Sequence, residues 1–149
     1  MASLKQIEDF IADQPVAMVG VSRNPKKFGQ AAFRELKEKG LNVIPVNPSA
    51  TEILGVKVYP NINSLPPEVK GVIIMTKKEQ SLEVVKEARQ KGIKNIWIQQ
   101  FAESKEVLKE LEGSQVNYIT GECILMHFKP NGFHKFHRGL NRLFGKFPK

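Results

Sequence analysis

One cysteine, Cys123, is all that the 149 residues contain, so no internal disulfide can form and a reducing interior is expected. No apolar run approaches the roughly 20 residues of a membrane span, and the first residues lack the layout of a secretory signal. A cytoplasmic chain with one main domain is the expectation. Histidine is scarce too: His127, His134 and His137 all lie toward the C-terminal end, beyond the alternating strand and helix pattern. No Ser/His/Asp or Cys/His set can be assembled around them, so no catalytic residue is assigned and binding is favoured over turnover. His134 and His137 stand at helical spacing, but no cysteine or carboxylate is near enough to complete a metal site, and no metal is expected. Acid is missing from residues 128–149, which carry six Lys or Arg. Removing those six from the 23 basic side chains leaves 17 against 15 acidic ones, so the net charge of +8 belongs mainly to a tail. The expected division is a domain over residues 1–126 and a basic, Phe-rich tail over 127–149.

What is present centres on one stretch, Val16-Ala-Met-Val-Gly20-Val-Ser22-Arg23-Asn24-Pro25-Lys26-Lys27-Phe28-Gly29. An apolar run of strand length breaks at Gly20, passes through a small, polar and basic loop, and enters the helical pattern Gln30 to Lys39. A strand that turns into a helix in this way makes a phosphate site. Small residues let the backbone approach the anion, and the helix offers unpaired N–H groups and the positive end of its dipole. Arg23, Lys26 and Lys27 add cationic side chains. The loop is not the ordinary dinucleotide fingerprint, because a G-x-G-x-x-G pattern laid from Gly20 meets Ser22 and Pro25 where glycines belong. Asn24-Pro25 reads as a helix cap followed by proline at the first helical position. Gly29 allows close packing of helix on strand.

Along the chain, strands and helices alternate. Leu4 to Ala12 is an amphipathic helix capped by Ser3, and Val16 to Gly20 is the first strand. Leu41 to Val46 is the second strand, closed by Asn47-Pro48, and Gly55 to Tyr59 is a short extended piece. Gly71 to Met75 is the third strand, Ser81 to Lys91 a helix ended by Gly92, and Asn95 to Gln99 the fourth strand. Lys105 to Leu111 forms a further helix and Val116 to Ile119 a fifth strand. The pattern predicts an α/β fold: a doubly wound, mostly parallel, five-stranded Rossmann-like sheet with helices on both faces. Ligands of such sheets bind outside the carboxyl ends of the strands. Those ends carry Ser22, Arg23 and Asn24, then Asn47-Pro48, then Thr76-Lys77-Lys78, then Gln99-Gln100. A NAD site usually has an acid after the second strand to hold the ribose, and Asn47 supplies no carboxylate. Ser22 and Asn47 are assigned to ligand contact, while Lys77 and Lys78 read as turn residues and helix caps.

The run Val19-Gly-Val-Ser-Arg-Asn-Pro25, then Val43-Ile-Pro-Val46-Asn47-Pro48, then Ile53-Leu-Gly55-Val-Lys-Val-Tyr59-Pro60 resembles the small single-domain CoA-binding protein family. That family is similar to the CoA-binding N-terminal domain of the succinyl-CoA synthetase α subunit. Ile96-Trp97-Ile98-Gln99 matches its fourth-strand region, and the resemblance covers roughly residues 12 to 125. It implies CoA as cofactor, with Gly20, Ser22 and Arg23 along the diphosphate and Lys27 at a phosphate, such as the ribose 3′-phosphate. Val46, Asn47 and Pro48 would hold the adenine and ribose edge, and the Thr76 region the pantetheine side. With Val21, Asn24 and Gln99, these residues make up the expected site. Gln100-Phe101 departs from the Pro-Gly usual there, and Gly71 stands where an acid is common.

Three function classes follow. The first is a CoA or acyl-CoA binding module, a carrier or sensor acting as monomer or homodimer. The second is an NADP-binding redox protein. The third is a binder of nucleic acid or another acidic surface through the tail, with nucleic acid disfavoured as a partner. Residues 132–146 place Phe133, Phe136, Leu140, Leu143 and Phe144 on one helical stripe, which predicts a tail helix docked on the domain. Cys123 follows the fifth strand and is expected near the carboxyl rim, either as a small core residue or within reach of the CoA thiol.

Overall fold

A computed structural model describes residues 2–128; the stretch expected to form a tail helix, with His134 and His137, lies outside them. Helix α1 (Leu4–Ala12) begins with a reciprocal cap in which Ser3 Oγ accepts the Gln6 N–H and Gln6 Oε1 accepts the Ser3 N–H. Strands β1 (Val16–Val19) and β2 (Val43–Val46) flank helix α2 (Phe28–Glu38) in the chain. Next come the short strands β3 (Glu52–Ile53) and β4 (Val56–Lys57), then β5 (Gly71–Ile74) and helix α3 (Lys78–Lys91). Strand β6 (Asn95–Gln99), helix α4 (Lys105–Leu111) and strand β7 (Asn117–Glu122) complete the series.

The five long strands form one parallel sheet in the order β2-β1-β5-β6-β7. Successive strands are added to one side of β1 and then, from β5 on, to the other, and this switch between β1 and β5 opens a crevice at their carboxyl ends. The pleat divides the core into two. Met18, Ile73, Trp97 and Ile119 face α1, α2 and a 3-10 turn, Ile124–Met126. Ala17, Val72, Ile74, Ile96 and Ile98 face α3, α4 and the 3-10 turn Ile62–Ser64. Because both faces are covered, the strands read as continuous apolar runs rather than alternating ones. Gly71 has a local reason: a Cβ there would come 3.1 Å from the Phe10 ring, which lies edge-on to Trp97 at 5.4 Å.

Several boundaries differ from the sequence expectation: α3 begins at Lys78, not Ser81, and β2 at Val43, not Leu41. The piece expected over Gly55 to Tyr59 is part of a β3–β4 hairpin, turned at Leu54 and Gly55 with φ of 50° and 76°. Leucine is a poor signal for a position of positive φ, so only the glycine was legible. Strand β7 runs to Glu122 because an extra residue bulges against β6: Trp97 pairs with Ile119 but Gln99 with Glu122, and Gly121 has φ of 73°. Helix α2 starts at Phe28, capped by Lys27 and not by Asn24.

Candidate functional site

Three backbones converge at the end of β1. Gly20 has φ of 97°, and a Cβ on it would lie 2.7 Å from the carbonyl carbon and oxygen of Met75. A Cβ on Gly29 would overlap the carbonyl oxygen of Gly20 itself. No side chain fits at either place, so the first turn of α2 and the end of β5 press directly on the loop of residues 21–27.

That loop is tied from inside. Gln30, only 5% exposed on the inner face of α2, donates through Nε2 to the carbonyls of Ser22 (3.1 Å) and Arg23 (2.8 Å). Ser22 Oγ accepts the Asn24 N–H, and Asn24 Oδ1 accepts the Lys26 N–H. The Lys27 N–H then closes a turn onto the Asn24 carbonyl. Asn24-Pro25 therefore opens a tight turn one step ahead of the helix, the reason it resembles a cap in sequence. Helix α2 is left without a side-chain cap, with Arg23, Lys26 and Lys27 exposed beside its N-terminus.

A cavity of about 250 Å³ lies over the ends of β1, β2 and β5, and Gly20, Val21, Val46, Asn47, Pro48 and Thr76 line it. Asn47 joins its two rims: Nδ2 donates to the Val21 carbonyl at 2.8 Å, and Oδ1 accepts the Ser49 N–H at 2.7 Å. Its amide is thus engaged with the chain at both ends. Asn61, Ile62, Gln80 and Glu87 are also among its lining; none was picked out from the sequence, since nothing in local pattern joins them to the loop.

A second cavity, of about 430 Å³, lies over β5, β6 and the end of β7 and shares Thr76 with the first. Gln99 and Cys123 line it together with Phe28, Met75, Gln100, Phe101, Ala102 and Met126. Thr76 Oγ1 is 2.9 Å from Ser81 Oγ, and Gln99 Oε1 accepts the Ile124 N–H at 3.1 Å. Gln99 therefore props the 3-10 turn that forms one wall. The Glu122 carbonyl accepts from Trp97 Nε1 and from the Gln100 N–H, both at 3.1 Å. Cys123 is free and buried at this rim, as its position after the last strand implied. His127 lies inside the packed domain: its ring is 5.7 Å from that of Trp97, and its Nε2 is 3.1 Å from Glu122 Oε2. His127 follows the last strand in the chain, as expected, yet its ring packs back against the domain.

Of the expected residues, Gly20, Val21, Val46, Asn47, Pro48 and Thr76 gather at the first cavity, and Thr76 and Gln99 at the second. Ser22, Asn24 and Lys27 belong to the loop and line neither. Arg23 borders a shallow hollow with Pro25, Gln30 and Arg34. Two wider hollows, of about 790 and 680 Å³, lie against α4. They are set between helices or at the β7 edge and lack the close backbone approach found at Gly20, so the strand-end cavities are the better candidates.

The model of the CoA binding domain family matches residues 14–129. Over 93 residues the chain is 36% identical to the alpha subunit of acetate–CoA ligase (ADP-forming) II of Pyrococcus furiosus, a match covering 62% of this chain and 20% of that subunit. The chain thus spans about a fifth of that relative's length. Protein YneT of Bacillus subtilis is 27% identical over 109 residues, which cover 73% of this chain and 81% of that protein. Among solved structures, a conserved hypothetical protein from Pyrococcus furiosus superposes with a TM-score of 0.72 at 39% identity, over 75% of this chain and 97% of that one.

Proposed function

The chain belongs to the CoA binding domain family, and on that premise we propose that it binds CoA along the carboxyl rim of its sheet. The adenine end lies in the cavity at Val46, Asn47 and Pro48, and the pantetheine arm crosses Thr76 toward Gln99 and Cys123. The observation that carries the reading is the loop of residues 21–27, held by Gln30 and Asn47 beside two cavities that meet at Thr76. The diphosphate sits beside this loop at the start of α2, which has no side-chain cap and where the helix dipole favours an anion. Arg23 and Lys27 neutralise phosphate charge from the solvent side. Asn47 acts mainly by positioning, since it fixes the second loop to the first.

The role is binding, as carrier or sensor, and not turnover. Asn47, Thr76 and Gln99, the expected polar residues at the cavities, each bond within the chain. The buried His127–Glu122 pair lines neither cavity. Calorimetric titration with CoA, dephospho-CoA, NAD and NADP tests the reading. CoA is expected to bind most tightly, and loss of the 3′-phosphate to weaken binding about tenfold, as removal of a charge-assisted contact does. Equal affinities for NAD and CoA would reject it.

A further inference from the structure

We propose that the cavity at the Cys123 end is an acyl-chain site, so that the preferred ligand is a CoA thioester of a medium-length aliphatic acid. This deepens the CoA reading and rests on it. A thiol alone leaves most of a cavity of about 430 Å³ unfilled. Its lining is mostly apolar and partly adaptable, with Thr76, Gln99 and Gln100 as the polar members: Met75 and Met126 are flexible thioethers that mould to an aliphatic chain, and Ala102 and Cys123 are small. The wall behind them is fixed by the Gln99–Ile124 hydrogen bond and by the two donors on the Glu122 carbonyl.

The mouth carries the stronger sign. Phe101 is 82% exposed and Phe28 is 55% exposed, and both line this cavity. Phe101 also has φ of 75° at the third position of the turn over residues 99–102, which the Ala102 N–H closes onto the Gln99 carbonyl. Turns of positive φ at that position take glycine without strain, whereas a phenyl-bearing residue is strained there. Neither burial nor backbone comfort accounts for an aromatic ring at this place. Contact with an apolar ligand group does, and the two rings stand where an acyl chain leaving the thioester would pass.

The test is titration of the full chain with CoA, acetyl-CoA, butyryl-CoA and hexanoyl-CoA. Affinity is expected to rise with chain length, by up to about fourfold per methylene, leaving hexanoyl-CoA at least about tenfold tighter than CoA. The hexanoyl-to-CoA ratio, measured within each variant, should fall toward one in Phe101→Gly and in Phe28→Ala. A ring with only a structural role would leave that ratio unchanged. Equal binding of CoA and hexanoyl-CoA would overturn the acyl site alone, and would leave the cavity to a protein segment. A ratio that survives both substitutions would overturn its location. Absence of any CoA binding would instead overturn the CoA reading and the acyl site together.

Discussion

The two strand-end cavities are built from different material. At the Asn47 end part of the wall is backbone held in place: Gly20 lies tight against Met75 and Gly29, and the Asn47 amide ties the Val21 carbonyl, with Val46, Pro48 and Ile62 beside them. At the Cys123 end they are side chains, thioethers and phenyl rings arriving from four separate stretches of the chain. The first is a fixed socket suited to a group of one shape, such as a nucleotide. The second is a soft surface suited to a group of variable length. Rigid recognition is placed where the backbone cannot move, and tolerance where side chains can.

The contrast is sharpest at Gly29. Gly29→Ala drives a methyl group into the Gly20 carbonyl, and relief requires moving α2 off the sheet. Destabilisation of about 3 kcal/mol, at the upper end for overpacking, is expected in urea unfolding. A variant as stable as the parent would mean that the socket is not rigid. Gln30→Leu should cost less, about 1–3 kcal/mol, by leaving the Ser22 and Arg23 carbonyls without their buried donor. It should also weaken CoA binding through the loosened loop. Unchanged stability and unchanged affinity would show that the loop holds its shape without that side chain.

The soft end should respond in the opposite direction. Phe101→Gly removes a strained residue from a position of positive φ, and a gain of about 0.5–1 kcal/mol is expected. That figure is the left-handed cost less the entropy glycine adds to the unfolded chain. A lowered melting temperature would mean that the exposed ring packs against something that stabilises it.

The same division explains what the sequence revealed. Helices α1 and α4 were legible in full, because Ser3 and Ser104 cap them and apolar spacing fills them. The strand, the close glycines and the basic loop of residues 16–29 were legible too, since such a sequence has a direct physical reading. Gln30 was not, because a glutamine within a helical pattern looks like a solvated residue until the fold turns it inward. Phe28, Met75 and Met126 were missed for a different reason, and Phe101 was noted only as a departure from Pro-Gly: nothing local links residues so far apart, and only the parallel sheet brings them to one rim. His127 was assigned to the basic tail by its neighbours in sequence, while the bulge at Gly121 and the turn Ile124–Met126 bring it back against Trp97.

The division can be tested with the ligand cut in half. Amide chemical shifts of the labelled protein would be followed during titration with adenosine 3′,5′-bisphosphate and, separately, with pantetheine. The nucleotide half is expected to move Val21, Asn47 and Ile62 and to leave Phe101 and Cys123 in place. Pantetheine is expected to do the reverse, moving Gln99, Phe101 and Cys123. An exchanged pattern, or shifts from both halves confined to the α4 hollows around Leu108 and Lys109, would contradict the account.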